Sequence, residues 1–272
     1  MVEPLSTGAS LTEPPPWALE CVPGLAGGKA AHRIHRLGGG TVNEVFQVIS
    51  AEGSFVLRLD GAAWRRPGVD RQRERTLHRI AATAGIAPEI VFCDPGRQGL
   101  MITRYQPGCT WDAADYADVR SLQRLGERLY ALHRLPVPAL ATFEPLAVGE
   151  SYVLRIEPAL LGETKPVIRR LAQLSRELAQ AAAQPVVVHG DLWEGNLLDG
   201  YRLWLLDWEY AQVTEPLMEI AGLLAYYPVA HRHQTELMAA AGMNPAAQAV
   251  LPDRIEIYRI LNRLWRLARG ER

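Results

Sequence analysis

Between residues 33 and 60 the apolar positions fall in short runs broken by turn residues: Ile34 and Leu37, then Gly38-Gly39-Gly40, then 45–49, then Glu52-Gly53, then 55–59. Runs of that length bounded by glycine predict a three-stranded antiparallel meander. From 69 to 84 the period changes. Val69, Arg73, Thr76, Leu77, Ile80, Ala81 and Ala84 recur at helical spacing, which predicts a helix ended by Gly85. Residues 88–92 and 100–105 read as two further strands, and Gln106-Pro107-Gly108 breaks the pattern as a hinge. Beyond it the spacing is mostly helical. Leu122, Leu125, Leu129 and Leu132 make one apolar stripe stopped by Pro136. Ile168, Leu171, Leu174 and Leu178 make a second, stopped near Pro185, with a less regular stretch between the two. Residues 186–188 and 203–206 read as short buried strands joined through Asn196-Leu197-Leu198 and the turn Asp199-Gly200, and helices follow around 217–227 and 255–267. Strands first and helices afterwards predict an α+β protein. Its expected parts are a small antiparallel-sheet N-terminal lobe with one helix (30–105), a hinge (106–108) and a larger, mainly helical C-terminal lobe (109–272).

Composition narrows the class of partner. A chain of 272 residues that is 48% hydrophobic can bury a substantial core. With 29 basic and 30 acidic residues there is no global field to direct it to nucleic acid or a membrane surface, so a small molecule is the expected partner. Residues 1–29 include Glu3, Glu13 and Pro14-Pro15-Pro16, with no basic patch leading into an apolar run, and are expected to be a flexible tail rather than a secretory leader. No apolar run approaches the ~18 residues of a spanning helix. Cys21, Cys93 and Cys109 are odd in number and lack metal-ligand spacing, so they read as free thiols, and the expected location is the cytoplasm.

The chemistry is concentrated in two segments, His189-Gly190-Asp191-Leu192-Trp193-Glu194-Gly195-Asn196 and Leu205-Leu206-Asp207-Trp208-Glu209. An Asp and an Asn five positions apart, with a second Asp after an apolar strand, supply one group for an acceptor hydroxyl and two for a metal ion. Phosphoryl transfer asks little more of a protein, whose task there is positioning and charge neutralisation. Asp191, beside Gly190 after an apolar strand, is assigned to orient the acceptor hydroxyl and take its proton. Asn196 offers Mg²⁺ a neutral carbonyl oxygen and Asp207 a charged one that can bridge to nucleotide phosphates. Any one of the three alone would read as a turn cap; together at this spacing they point to catalysis.

These segments resemble the kinase catalytic and metal loops, HRDxxxxN and DFG, in the form where His is followed by Gly-Asp and the second motif reads Asp-Trp-Glu. Over about 30–270 the chain is similar to the aminoglycoside phosphotransferase and choline kinase superfamily, with the choline, ethanolamine and thiamine kinases nearest. The resemblance implies a bilobal protein-kinase-like fold, ATP and Mg²⁺ as cofactors, and transfer of a γ-phosphoryl group to a hydroxyl of a small cationic alcohol. It also implies that His189 supports the catalytic loop and that Glu209 lies close to the metal and acceptor region.

Further residues attach to this frame. Arg58 is the charge inside the apolar run 55–59 and must find a partner or ligand. Glu74, on the following helix, is the expected partner, and the pair resembles the kinase strand Lys and helix Glu that serve the nucleotide. Gly39, Gly40, Thr41 and Asn43 lie in a loop ahead of Arg58 whose backbone amides would cover phosphates, although three glycines between strands also suit a plain hairpin. Glu219 stands where relatives carry the Asp of Asp-Leu-Ala. Trp193, Trp204, Trp208, Tyr210, Tyr226, Tyr227 and Trp265 all fall in the helical half, where their faces would suit an organic cation or fill the core. Of these, Trp193 and Trp208 are placed as supporting or acceptor-side residues. Two other functions share the same motif: an aminoglycoside or amino-sugar O-phosphotransferase, and a non-catalytic kinase-like nucleotide-binding module. The mixture of Glu215 and Glu219 with Arg155, Arg169 and Arg170 argues against a polycation pocket, and retention of Asp191, Asn196 and Asp207 together argues against the module.

Overall fold

The computed structural model describes residues 11–27, 32–37, 43–61, 69–180 and 183–270. The chain divides between Pro107 and Gly108 into two compact units.

The first unit is built on a five-stranded antiparallel sheet in the order β1-β2-β3-β5-β4. Its strands are β1 (Arg33–Arg36), β2 (Asn43–Ser50), β3 (Gly53–Asp60), β4 (Ile90–Asp94) and β5 (Leu100–Arg104). Alternation sorts its side chains: Phe46, Val48, Phe55, Leu57, Leu59, Leu100 and Ile102 are fully buried in one core cluster. That cluster also contains Ala18, Val22 and Leu25, which corrects the expectation of a flexible tail as far as residues 11–27 are concerned. Pro15 and Pro16 start a single helical turn, α1 (Pro16–Leu19), and the segment is held because the apolar sheet face must be covered. The helix α2 (Arg71–Thr83) begins at Asp70, whose side chain accepts the amides of Gln72 and Arg73. It buries Glu74, Leu77, His78 and Ala81. Gly39, Gly40 and Thr41 lie outside the described residues.

The second unit opens with β6 (Cys109–Thr110) and the helices α3 (Val119–Leu132), α4 (Pro145–Val153) and α5 (Leu161–Ala179). The stripe Leu122, Leu125, Leu129 and Leu132 is wholly buried, as its spacing predicts. The stretch expected to be irregular contains α4, started by Pro145 at its first turn. Four short strands follow: β7 (Val186–Val188), β8 (Leu197–Asp199), β9 (Leu203–Leu205) and β10 (Gln212–Thr214). β7 pairs antiparallel with β10, whereas β8 and β9 form a hairpin with β6 on its edge. The motif segments are therefore pinned by two small sheets. Helices α6 (Leu217–Tyr226), α7 (Gln234–Ala240) and α8 (Leu251–Ala268) complete the unit. Among the described residues no helix is long and apolar enough to cross a membrane.

Candidate active site

In the first unit Arg58 lies between Leu57 and Leu59 on β3, so alternation turns it to the sheet face opposite those two leucines. It meets Glu74 in a bidentate pair, Nη1 to Oε1 at 2.5 Å and Nη2 to Oε2 at 2.9 Å. Glu74 is fully buried, and Arg71 adds a second guanidinium at 2.6 Å from Oε2. Arg71 also binds the buried Asp60 and reaches Asn43 Oδ1 at 3.5 Å. Two guanidinium groups thus balance two carboxylates. Burial alone would raise the Glu74 pKa, but Arg58 and then Arg71 outweigh it and hold it down at about 2. A charge within an apolar strand predicts the Arg58–Glu74 contact; no such signal points to Arg71 and Asp60, although Arg71 stands one helical turn before Glu74.

In the second unit the loop that carries Asp191 runs from the end of β7. Gly190 has φ +77°, and a Cβ there would lie 2.6 Å from the Tyr210 carbonyl oxygen, so glycine is required both for the turn and for the approach of 210–212. The loop is anchored from α6. Glu219, 2% exposed, accepts the backbone amides of His189 at 2.6 Å and Gly190 at 3.0 Å. Burial favours the neutral acid, yet His133, His189 and the loop amides together lower its pKa. His189 is fully buried, its Nε2 donates to the Leu206 carbonyl at 2.7 Å and its Nδ1 faces the Asp191 amide at 3.3 Å. Those partners select the Nε2–H tautomer of a neutral ring, and burial lowers its pKa accordingly. Through this ring the residue before Asp207 is tied to Asp191. Trp208, fully buried, packs its ring edge to face with His189 at 4.8 Å.

Asn196 is buried, and its Nδ2 donates to the Asp191 carbonyl at 2.9 Å and to Asp191 Oδ2 at 3.0 Å. Its own carbonyl oxygen is the amide atom left to face a cation. Asp207 has φ 54°, a left-handed backbone that a non-glycine residue adopts at a cost of about 1–3 kcal/mol. Such strain at a carboxylate sandwiched between an apolar strand and a buried Trp marks a place where side-chain direction is worth the cost. Asn196 and Asp207 present hard oxygen donors, which suit Mg²⁺; that ion commonly takes one or two protein oxygens and completes its shell with water and phosphate. Among the described residues no group of three or more His, Cys, Asp or Glu side chains is arranged for a metal.

Asp191 lies in the wall of a cavity of about 320 Å³. Rings dominate the rest of the wall, with Tyr152 from α4, Tyr226 from α6, Trp265 from α8, and Trp193, Tyr210 and Tyr227 from the loops and helix ends. Tyr227 stacks on Tyr116 at 3.7 Å and its hydroxyl bonds Glu194, which fixes it beside the loop. Trp204 and Trp208 are core residues and do not line the cavity. Glu209 is buried in the turn after Asp207.

Residues 33–258 match the model of the phosphotransferase enzyme family. The chain belongs to that family. It is a phosphotransferase of the small-molecule kinase kind, with the protein-kinase-like fold. A choline/ethanolamine kinase family protein from Mesorhizobium loti is 29% identical, with a TM-score of 0.74 over 93% of this chain and 85% of that one. The choline kinase LicA from Streptococcus pneumoniae is 17% identical, with a TM-score of 0.71 over 88% and 85%. A thermostable mutant of aminoglycoside phosphotransferase APH(4)-Ia is 17% identical, with a TM-score of 0.64 over 88% of each chain. None of the curated proteins matches the sequence.

Sequence reasoning gave Glu219 little weight, since its partners are backbone amides thirty positions away. Glu219→Gln replaces one accepting oxygen with a donor that faces an amide N–H. A loss of about 1–3 kcal/mol in stability is expected, together with a fall in kcat that exceeds any change in the KM for nucleotide. Thermal melting and steady-state kinetics check it, and an unchanged kcat would release the loop from Glu219.

Proposed function

We propose that the protein transfers the γ-phosphoryl group of ATP, taken up with Mg²⁺, to the hydroxyl of a small cationic alcohol of the choline, ethanolamine or thiamine kind. The single observation that carries this reading is Asp191 in the wall of a cavity otherwise built largely of aromatic rings. Ring faces attract an organic cation by about 0.5–2 kcal/mol each, and the carboxylate beside them is placed to receive the proton of the same molecule's hydroxyl. The modest cavity and its apolar wall favour a small amino alcohol over an aminoglycoside.

Each residue then has a task. Asn196 holds Asp191 through Oδ2 and so fixes the direction of its carboxylate. Asp191 takes the hydroxyl proton as the acceptor oxygen bonds to phosphorus and the bond to the β-phosphate oxygen breaks, releasing ADP. Asn196 and Asp207 would hold the metal, which when bound neutralises charge on the phosphates. Arg58, fixed by Glu74, is assigned to the nucleotide phosphates, and Asn43 and the glycine loop to covering them. His189 and Trp208 are assigned to supporting the loop and Trp193, in the cavity wall, to the acceptor side; Glu209, expected there as well, is buried in the turn after Asp207 and does not line the cavity. The free thiols Cys21, Cys93 and Cys109 suit a reducing cytoplasm.

A coupled assay for ADP with choline, ethanolamine, thiamine, an aminoglycoside and an amino sugar, with and without Mg²⁺, tests this reading. Metal-dependent turnover of one of the first three is the expected result. Turnover confined to the aminoglycoside or amino sugar, or absent with all of them, would overturn it.

A further inference from the structure

Helix α8 turns one face to the same cavity, where Tyr258, Leu261, Asn262 and Trp265 follow one another at helical spacing. Asn262 puts a half-buried carboxamide where the period of the helix calls for an apolar side chain. Asparagine in a helix interior costs roughly 0.5 kcal/mol against alanine, and it is favoured instead at caps and turns, where its side chain bonds the backbone. Here it bonds nothing: among the described residues the Asn262 side chain makes no hydrogen bond. Glu219, Asp191, Tyr227 and Gln212 line the same cavity, and each has a partner in the protein. Glu219 accepts two loop amides, Asn196 holds Asp191, Glu194 binds the Tyr227 hydroxyl and Gln212 bonds the Tyr258 hydroxyl. An open carboxamide in a wall of rings is the kind of placed polar group that fixes how a ligand lies.

The cavity, about 320 Å³, falls in the range of about 300–1,000 Å³ that holds ligands of drug size. A choline-sized molecule would leave much of it to water. Its rings suit a flat heterocycle as well as a cation, since stacking on an aromatic side chain contributes about 1–3 kcal/mol. A carboxamide presents a donor and an acceptor side by side, and it pairs with the matching edge of an aminopyrimidine as asparagine does with adenine. We propose that Asn262 is a specificity-determining residue whose carboxamide pairs with such an edge on the acceptor. The acceptor is then a heteroaromatic cationic alcohol of the thiamine kind rather than choline or ethanolamine; this rests on the cationic-alcohol reading above. Sites built to hydrogen-bond a substrate reject the analogue that lacks the group far more strongly than apolar pockets reject a change of size.

Thiamine and the thiazolium alcohol that carries benzyl in place of the aminopyrimidinylmethyl group separate the hydrogen bonds from the rest. Both have the hydroxyl, the cation and a second ring to stack. Wild-type kcat/KM is expected to favour thiamine over the benzyl analogue by about ten-fold or more. In Asn262→Leu, which keeps the size of the side chain, that ratio should shrink to less than about three-fold, with the loss falling on the KM for thiamine. A matching melting temperature would show that the variant is folded; should it melt early, Asn262→Ala and direct calorimetric binding of thiamine against the benzyl analogue to the wild type take its place. A smaller wild-type ratio, or one that survives in the variant, would overturn the inference and leave the kinase reading standing. An equal loss on both alcohols would do the same, since Asn262 would then serve the part they share. If choline or ethanolamine is phosphorylated in preference to thiamine, the inference alone falls; if none of these alcohols is phosphorylated, both fall.

Discussion

Asp191→Asn is expected to lower kcat by roughly a thousand-fold or more while nucleotide still binds. The substitution keeps the size of the side chain and an oxygen to accept the Asn196 amide, so the loop geometry survives. What disappears is the carboxylate proposed to take the proton of the attacking hydroxyl. Because Glu219 and His189 fix the loop through its backbone and through Leu206, the damage stays local. Single-turnover measurement of phosphoryl transfer and a nucleotide titration separate the two effects. Near-normal transfer would remove Asp191 from its assigned role, and loss of nucleotide affinity in step with kcat would move it to the nucleotide side.

Glu74→Ala is expected to destabilise the first unit by about 3–5 kcal/mol, because it removes the buried carboxylate that Arg58 and Arg71 share. Denaturant unfolding of wild type and variant measures it. The same contact sets a pH dependence. The folded Glu74 pKa, about 2, lies below its ordinary value of 4.5, so its stabilisation is complete above pH 4.5 and is lost as pH falls towards 2. By linkage the shift corresponds to roughly 3 kcal/mol. The stability difference between wild type and Glu74→Ala should therefore narrow across that window. A difference that stays constant from pH 6 to pH 2 would show that the carboxylate charge contributes nothing to folding.

The two motif segments were legible because proton and metal chemistry fix residue types at short spacing along the chain. Asp191 and Asn196 are five positions apart, and a single loop brings them into hydrogen-bond contact. The strand-then-helix order and the fully buried leucine stripe of α3 were legible for a related reason, as period alone sorts buried from exposed positions. The N-terminal segment was misread. Proline and acidic residues suggest a loose tail, but Ala18, Val22 and Leu25 belong to the sheet core, and nothing local announces that an apolar face needs a cover. The aromatic residues were sorted only by the fold: Trp204 and Trp208 went to the core, while Tyr152 and Tyr258, unremarked in the sequence, came to the cavity.

By itself the sequence determined the family and the fold class, since each is carried by local spacing or by period. Tertiary structure alone decided that Glu219 holds the loop after β7, that Arg71 shares Glu74 with Arg58, and which rings line the cavity beside Asp191. These contacts join positions far apart along the chain. Their partners are backbone amides and packed rings that carry no spacing signature, and burial makes the contacts strong only once the helices have closed around them.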